Sequence, residues 1–253
     1  MKEKLKIGIS SGWEPGQLVE GWPLTYAIRN LVQVVEREGH IPYVLPVLDN
    51  PSAPVMEEML GILDGVILSG EVLSIKRNVV DELKTNILRS SNPLRYDNEA
   101  SIIRAARKRK LPILGICRGF QVMAMELGGE VLDGDVNSDN YIIHQQGTFF
   151  PPTKAVHTVN IMQGSLLHQL LEKDRVMVNS FHRQAVLKVP DNFSVSAISE
   201  DEVIEGMESH HGSIQIGLQF HPEMLPEKIW KTFFNNWFSL LESLKQRRAP
   251  MGP

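Results

Sequence analysis

Cysteine is nearly absent from this chain: its 253 residues hold one, Cys117. A single thiol excludes an internal disulfide, which fits a reducing compartment, and it excludes paired-cysteine metal sites. Neither sign of charge is in excess. Lys and Arg number 26 against 30 Asp and Glu, a net charge of −4, so no basic face argues for nucleic acid. No apolar run approaches the ~20 residues of a membrane span. The charged start, Met1 to Lys6, leads into an apolar stretch too short for a signal-peptide core. The expectation is a cytoplasmic protein that binds neither membrane nor nucleic acid. Histidines never recur as H-x-x-x-H, and no glycine-rich phosphate loop is present. Local spacing therefore implies no metal and no cofactor.

Internal repeats and low-complexity segments are also missing, and no linker separates two cores. With 42% hydrophobic and 22% charged residues, the composition is that of an ordinary globular chain long enough for one large core. One domain is expected over 1–244, with the basic end 245–253 as a solvated, fraying tail. Apolar strand candidates fall at 5–9, 41–46, 65–69, 112–116, 175–179, 193–198, 203–208 and 214–220. Helical patterns fill 24–38, 54–63, 97–109, 118–127, 165–172 and 225–244. Strand and helix alternate in the first half, the sign of a parallel sheet covered on both faces. Later strands follow one another through short turns, which predicts an antiparallel extension. The stretch 71–96 is long for a strand-to-helix connection. It reads as a loop bordering a site or as a surface excursion, with a short helix over 79–88.

Cys117 lies in Gly115-Ile-Cys117-Arg-Gly119, where an apolar β-branched run ends and a helical pattern begins. This is the G-x-nucleophile-x-G turn with cysteine in the serine position. Two glycines without Cβ atoms let the chain swing sharply from strand to helix around a strained residue. Phe120, Met123, Ala124 and Leu127 follow at i, i+3, i+4 and i+7, an apolar helix face. The sulfur then sits at a helix N-terminus, where the dipole favours thiolate. A buried structural cysteine is the alternative reading.

A second motif, Ile214 to Glu223, is a strand ending in His221-Pro222-Glu223. Residues at i and i+2 of a strand share a face, so His221 and Glu223 can lie side by side. Pro222 stiffens the link and stops the ladder. A cysteine nucleophile needs an imidazole base, and the base needs a third group to orient it. Both motifs end where apolar strands end, and sites of parallel α/β sheets gather at the carboxyl ends of strands.

Together the two motifs resemble the class I glutamine amidotransferase superfamily. Further stretches resemble its free-standing γ-glutamyl-γ-aminobutyrate hydrolase-like branch: Lys6 to Ser10, Asp64 to Gly70, Leu127-Gly-Gly129, Val178 to Ala185, and Arg95-Tyr-Asp97. The resemblance spans about residue 5 to about residue 240. It implies an α/β fold: a single flavodoxin-like doubly wound, mostly parallel sheet with helices on both faces and an antiparallel extension. It also implies hydrolysis of a small γ-glutamyl amide without a cofactor. Cys117 would attack the δ-carbonyl to form a thioester, His221 would move the proton, and Glu223 would orient His221. Oxyanion donors would be the backbone N–H of Arg118 and one from Gly70-Glu71, where the family has two glycines. Glu71 is a departure that places a carboxylate near a developing anion. Gln121 would face the glutamyl group, and Ser180 and Phe181 would contact it through backbone atoms. His182, exposed by this placement, is a further candidate contact. The resemblance is compatible with a homodimer.

Two other functions stay open on the residues. One is a glutaminase subunit that passes ammonia to a separate synthase; the other is a non-catalytic binder of glutamyl ligands, which Glu71 motivates. His144 and His157 match the family pattern with no chemistry attached. His210 and His211 read as surface residues of a turn.

Overall fold

The computed structural model describes residues 3–16, 18–71, 87–132, 134–136, 142–147, 150–210 and 212–248. In chain order, β1 (Lys6–Ser10), β2 (Gly12–Glu14) and β3 (Leu24–Tyr26) precede α1 (Arg29–Arg37), β4 (Ile41–Leu45), α2 (Ala53–Leu60) and β5 (Gly65–Leu68). Then come α3 (Ile87–Ser90), α4 (Pro93–Lys108), β6 (Ile113–Ile116), α5 (Arg118–Glu126) and β7 (Glu130–Val131). The rest is β8 (His157–Ile161), α6 (Leu166–Leu171), β9 (Arg175–Val178), β10 (Val186–Lys188), β11 (Phe193–Ser199), β12 (Ile204–Ser209), β13 (Gln215–Leu218) and α7 (Lys228–Arg248).

Five strands pair in parallel in the order β4-β1-β5-β6-β13. Numbered among themselves they run 2-1-3-4-5, the flavodoxin-like order. These are the strands that read as apolar runs, and β5, β6 and β13 are buried at every position, as a sheet covered on both faces requires. Beyond β13 the sheet turns antiparallel through β12, β11, β8 and β9. The α/β fold with an antiparallel extension is as expected. One apolar cluster joins α1, α6 and α7 to one face, and a second joins α2, α4 and α5 to the other. In α7, Trp230, Phe233, Phe234, Trp237, Phe238 and Leu241 are all buried. Their i, i+3, i+4, i+7, i+8, i+11 spacing lays one continuous stripe on the sheet.

Three sequence expectations change. Residues 24–26 pair with 12–14 as a hairpin, so the first helix begins at Arg29. Strand β8 goes unread in the sequence because His157, Thr158 and Asn160 interrupt its apolar character, although its burial alternates as a strand's does. Residues 245–248 are the last turn of α7 and not a frayed tail. Lys245 holds that turn in place, reaching Glu3 at 2.7 Å and Asp64 at 3.1 Å. Of the helix expected at 79–88, residues up to 86 lie outside the described residues, and α3 takes up the end. No helix among the described residues is long and apolar enough to cross a membrane.

Candidate active site

Three parallel strands end around Cys117. Strand β6 carries it, β5 lies on one side and β13 on the other. Cys117 has φ +50° and ψ −105°, a conformation that L side chains seldom adopt and that clusters at functional sites. Its two glycines are steric requirements. A Cβ on Gly119 would meet the Leu68 carbonyl oxygen at 2.4 Å, and one on Gly115 would meet the Gly119 backbone at 2.9 Å. The elbow is thus wedged against β5, and helix α5 starts at Arg118 directly behind the sulfur. The first amides of α5 have no acceptor within the helix.

His221 follows β13, buried, with Nδ1 2.7 Å from Glu223 Oε1. Cys117 lies close enough to act on the charge of the ring. Burial pushes the imidazole pKa down, but Glu223 and Cys117 outweigh it and hold it well above the ordinary histidine value. Glu223 sits in a 3-10 turn at Pro222–Met224 that His221 caps, not on a continuing strand, so proline shapes the His221–Glu223 pair by starting a turn. The backbone of His221 is clamped by Asn179, whose Oδ1 accepts from His221 N at 2.8 Å and whose Nδ2 donates to His221 O at 3.0 Å. Phe181 packs edge-on against the ring at 6.1 Å, and its carbonyl oxygen lies 3.9 Å from Cys117 Sγ.

Behind the elbow lies a buried ionic network that sequence reading missed. Glu99 accepts from Arg95 Nε at 2.8 Å with one oxygen and from Arg118 Nε at 3.1 Å with the other. Arg118 also donates to the Leu88 carbonyl at 3.0 Å and faces Glu71 at 3.5 Å. Arg95 Nη2 donates to the carbonyls of Ser69 at 3.1 Å and Gly70 at 2.8 Å. No peptide bond here is cis, and in a trans peptide the N–H points opposite to the C=O. Arg95 therefore turns the N–H groups of Gly70 and Glu71 away from itself. Gly70 lies against the histidine: a Cβ there would sit 2.4 Å from His221 Cε1. The only sequence signal for the network is Arg95 and Glu99 at i, i+4 on α4.

The remaining candidates separate. Phe181 stands at the site. Ser180 lies behind it, and its backbone is already taken: Ser180 N donates to Gln146 Oε1 at 2.6 Å, and Ser180 O accepts from Gln146 N at 3.0 Å. That argues against a backbone contact from Ser180 to a ligand. Gln121 is buried, and its amide donates to the Gln184 carbonyl at 2.8 Å and to Gln219 Oε1 at 2.9 Å, so that amide braces α5 against its surroundings. His182 corrects the sequence reading most clearly. It is 3% exposed and points into the protein, toward Glu205 at 3.5 Å. His144 and His157 each face the same oxygen of Glu205 at 3.4 Å. His210 is exposed, as read, and His211 lies outside the described residues.

The family described as Peptidase C26 matches residues 7–223. Protein NtpR of Enterococcus hirae is 30% identical over 206 residues, 81% of this chain and 84% of that protein. The γ-glutamyl-γ-aminobutyrate hydrolase PuuD of Escherichia coli is 30% identical over 190 residues, 73% of each. Among solved structures, a glutamine amidotransferase from Thermotoga maritima has a TM-score of 0.55 at 16% identity, covering 96% of this chain and 86% of that one.

Proposed function

The chain belongs to the peptidase C26 family, and on that premise we propose that it hydrolyses γ-glutamyl amides with Cys117 as nucleophile. One observation carries this reading: a strained cysteine at a strand-to-helix elbow, with Phe181 packed against both it and a buried histidine that a carboxylate holds at 2.7 Å. The thiolate adds to the δ-carbonyl carbon of the substrate. The oxyanion is received by the N–H of Arg118 and by one of the N–H groups that Arg95 turns away from itself, on Gly70 or Glu71. Imidazolium His221 gives its proton to the leaving amine as the C–N bond breaks, which leaves a glutamyl thioester. Neutral His221 then takes a proton from water, the hydroxide adds to the thioester, and glutamate departs as the thiol reforms. Glu223 steadies the charged imidazole throughout, and Phe181 flanks it. No cofactor enters these steps, and a nucleophile that works only as a reduced thiol supports a reducing compartment such as the cytoplasm. The test is glutamate release by the purified chain alone from a panel of γ-glutamyl amides, glutamine and γ-glutamyl-γ-aminobutyrate included. Release from none of them would end this reading.

Two neighbouring positions should answer oppositely. Gly70→Ala forces His221 off Cys117, because the new methyl needs the space of the ring. A displacement of that kind costs on the order of 10²-fold in kcat, and an unchanged melting temperature would assign the loss to the site. Glu71→Gly should keep hydrolysis. Its carboxylate is paired with Arg118 and only adjoins the oxyanion position, and a partly exposed pair at 3.5 Å is worth at most ~1 kcal/mol. The measurement is kcat/KM on a neutral and a cationic γ-glutamyl amide. A selective loss on the cationic one would make Glu71 a contact for the leaving amine. An equal, large loss on both would make it part of the loop's structure.

A further inference from the structure

Behind the Phe181 segment, away from the catalytic face, four buried groups from distant parts of the chain converge. Glu205, on β12, is fully buried, and neither of its carboxylate oxygens has a hydrogen-bond partner among the described residues. A buried carboxylate left in that condition is costly. Around its Oε1 stand His144 Nδ1 and His157 Nε2, each at 3.4 Å, and His182 Nε2 at 3.5 Å. Donor atoms of His144, His182 and Glu205 lie within 4.8 Å of one another.

The outer nitrogens of two of these rings are already committed. His144 Nε2 lies 3.0 Å from Asp201 Oδ2, and His182 Nδ1 lies 3.0 Å from the Gln184 carbonyl. Only N–H can face an oxygen acceptor at that distance. A neutral ring that donates outward presents a lone pair inward, so two imidazole lone pairs and a carboxylate face one another in a dry cavity. Positive charge must lie between them, as protons on the rings or as a metal cation. Separations of 3.4–3.5 Å are long for hydrogen bonds. They match the spacing of neighbouring ligands around a tetrahedral zinc, about 3.3 Å for bonds of ~2.05 Å. An imidazole whose far nitrogen is held by a carboxylate or a backbone carbonyl is the usual outer shell of a metal-bound histidine.

We propose that His144, His182 and Glu205, with His157 beside Glu205, form a buried site for a divalent transition metal, Zn²⁺ by its donor set, that pins the Phe181 segment to β12. The fold argues for a structural role. His182 directly follows Phe181, whose carbonyl faces Cys117, and His182 N donates to His144 O at 2.8 Å. Sequence spacing could not find the site, because each ligand comes from a different segment.

The test does not depend on Cys117 acting as a nucleophile. An untagged Cys117→Ala chain, which removes the active-site thiol as a competing ligand, is stripped with a chelator and titrated with ZnCl₂. The expected results are one zinc retained per chain after desalting and a melting temperature raised by about 5–10 °C at ~100 times Kd. Cobalt should give the visible bands of a low-coordinate nitrogen–oxygen site. Glu205→Gln should lose both while keeping the surface histidines. Should that variant not fold, Asp201→Asn, which removes only the carboxylate behind His144, should weaken zinc by about 10–100-fold. A folded chain that holds no zinc and shows no shift would overturn the proposal and leave the cluster bridged by protons. Binding unchanged in Asp201→Asn and Glu205→Gln would overturn it equally.

Discussion

Replacing Cys117 with alanine is expected to abolish release of glutamate from γ-glutamyl amides and to leave the fold intact. The two halves of that expectation rest on different physics. In the proposed mechanism the sulfur is the atom that forms the covalent bond, and without it no thioester arises. What remains is catalysis by the oxyanion donors and by binding. In hydrolases that use such a triad, loss of the nucleophile costs on the order of 10⁴–10⁶-fold. The fold loses very little. Cys117 is 5% exposed and its side chain is small, so truncation at Cβ costs about 1 kcal/mol by cavity arithmetic. Alanine meets the same positive-φ strain as cysteine, so the elbow gains no new difficulty. The checks are a glutamate-release assay and a thermal melt on the same preparation. Near-wild-type turnover would remove Cys117 from the mechanism. A collapsed melting curve would show that the elbow needs the sulfur for packing.

The elbow was legible in the sequence because steric law writes it in glycine. Gly115 and Gly119 stand where a Cβ would collide with backbone, and backbone cannot move aside. The parallel strands were legible for a related reason: burial on both faces demands unbroken apolar runs. What was not legible lies where polar residues are buried in pairs. Strand β8 hides because His157 occupies an inward position, and an inward histidine breaks the apolar alternation that marks a half-buried strand. In the sequence His182 reads as a surface residue, because a histidine beside a substrate loop is ordinarily solvated. Its true surroundings depend on Glu205, 23 positions along the chain, and on His144, 38 positions back. Arg95 and Glu99 could be seen as a helix pair. That Arg118 closes the network, and that Arg95 grips the carbonyls of Ser69 and Gly70, required the three-dimensional fold.

The sharpest test of the assigned roles compares His221→Ala with Glu223→Gln. In the proposed mechanism His221 carries the proton in both halves of the reaction, so His221→Ala should cost roughly 10²–10⁴-fold in kcat/KM. Glu223 acts through His221, so Glu223→Gln should cost less, and its signature should be a changed pH profile. The sign follows from the charges. Burial disfavours imidazolium, but Glu223 and Cys117 overcome this and hold the His221 pKa well above the ordinary value. The pairing therefore stabilises the folded state fully below the unfolded histidine pKa, and that contribution fades as pH rises through the folded one. For activity, the imidazolium proposed to protonate the leaving amine is lost on the same rise, which should set the alkaline limb of kcat/KM. Glutamine at 223 removes the negative charge while keeping the shape, so the imidazolium loses its carboxylate partner and the alkaline limb moves to lower pH. A residue that merely packed beside His221 would lower activity without moving that limb. The measurement is kcat/KM against pH for the wild type and Glu223→Gln, with His221→Ala assayed at the optimum. An alkaline limb that stays in place, or a Glu223→Gln loss as large as that of His221→Ala, would take Glu223 out of its orienting role and direct the search to another partner for His221.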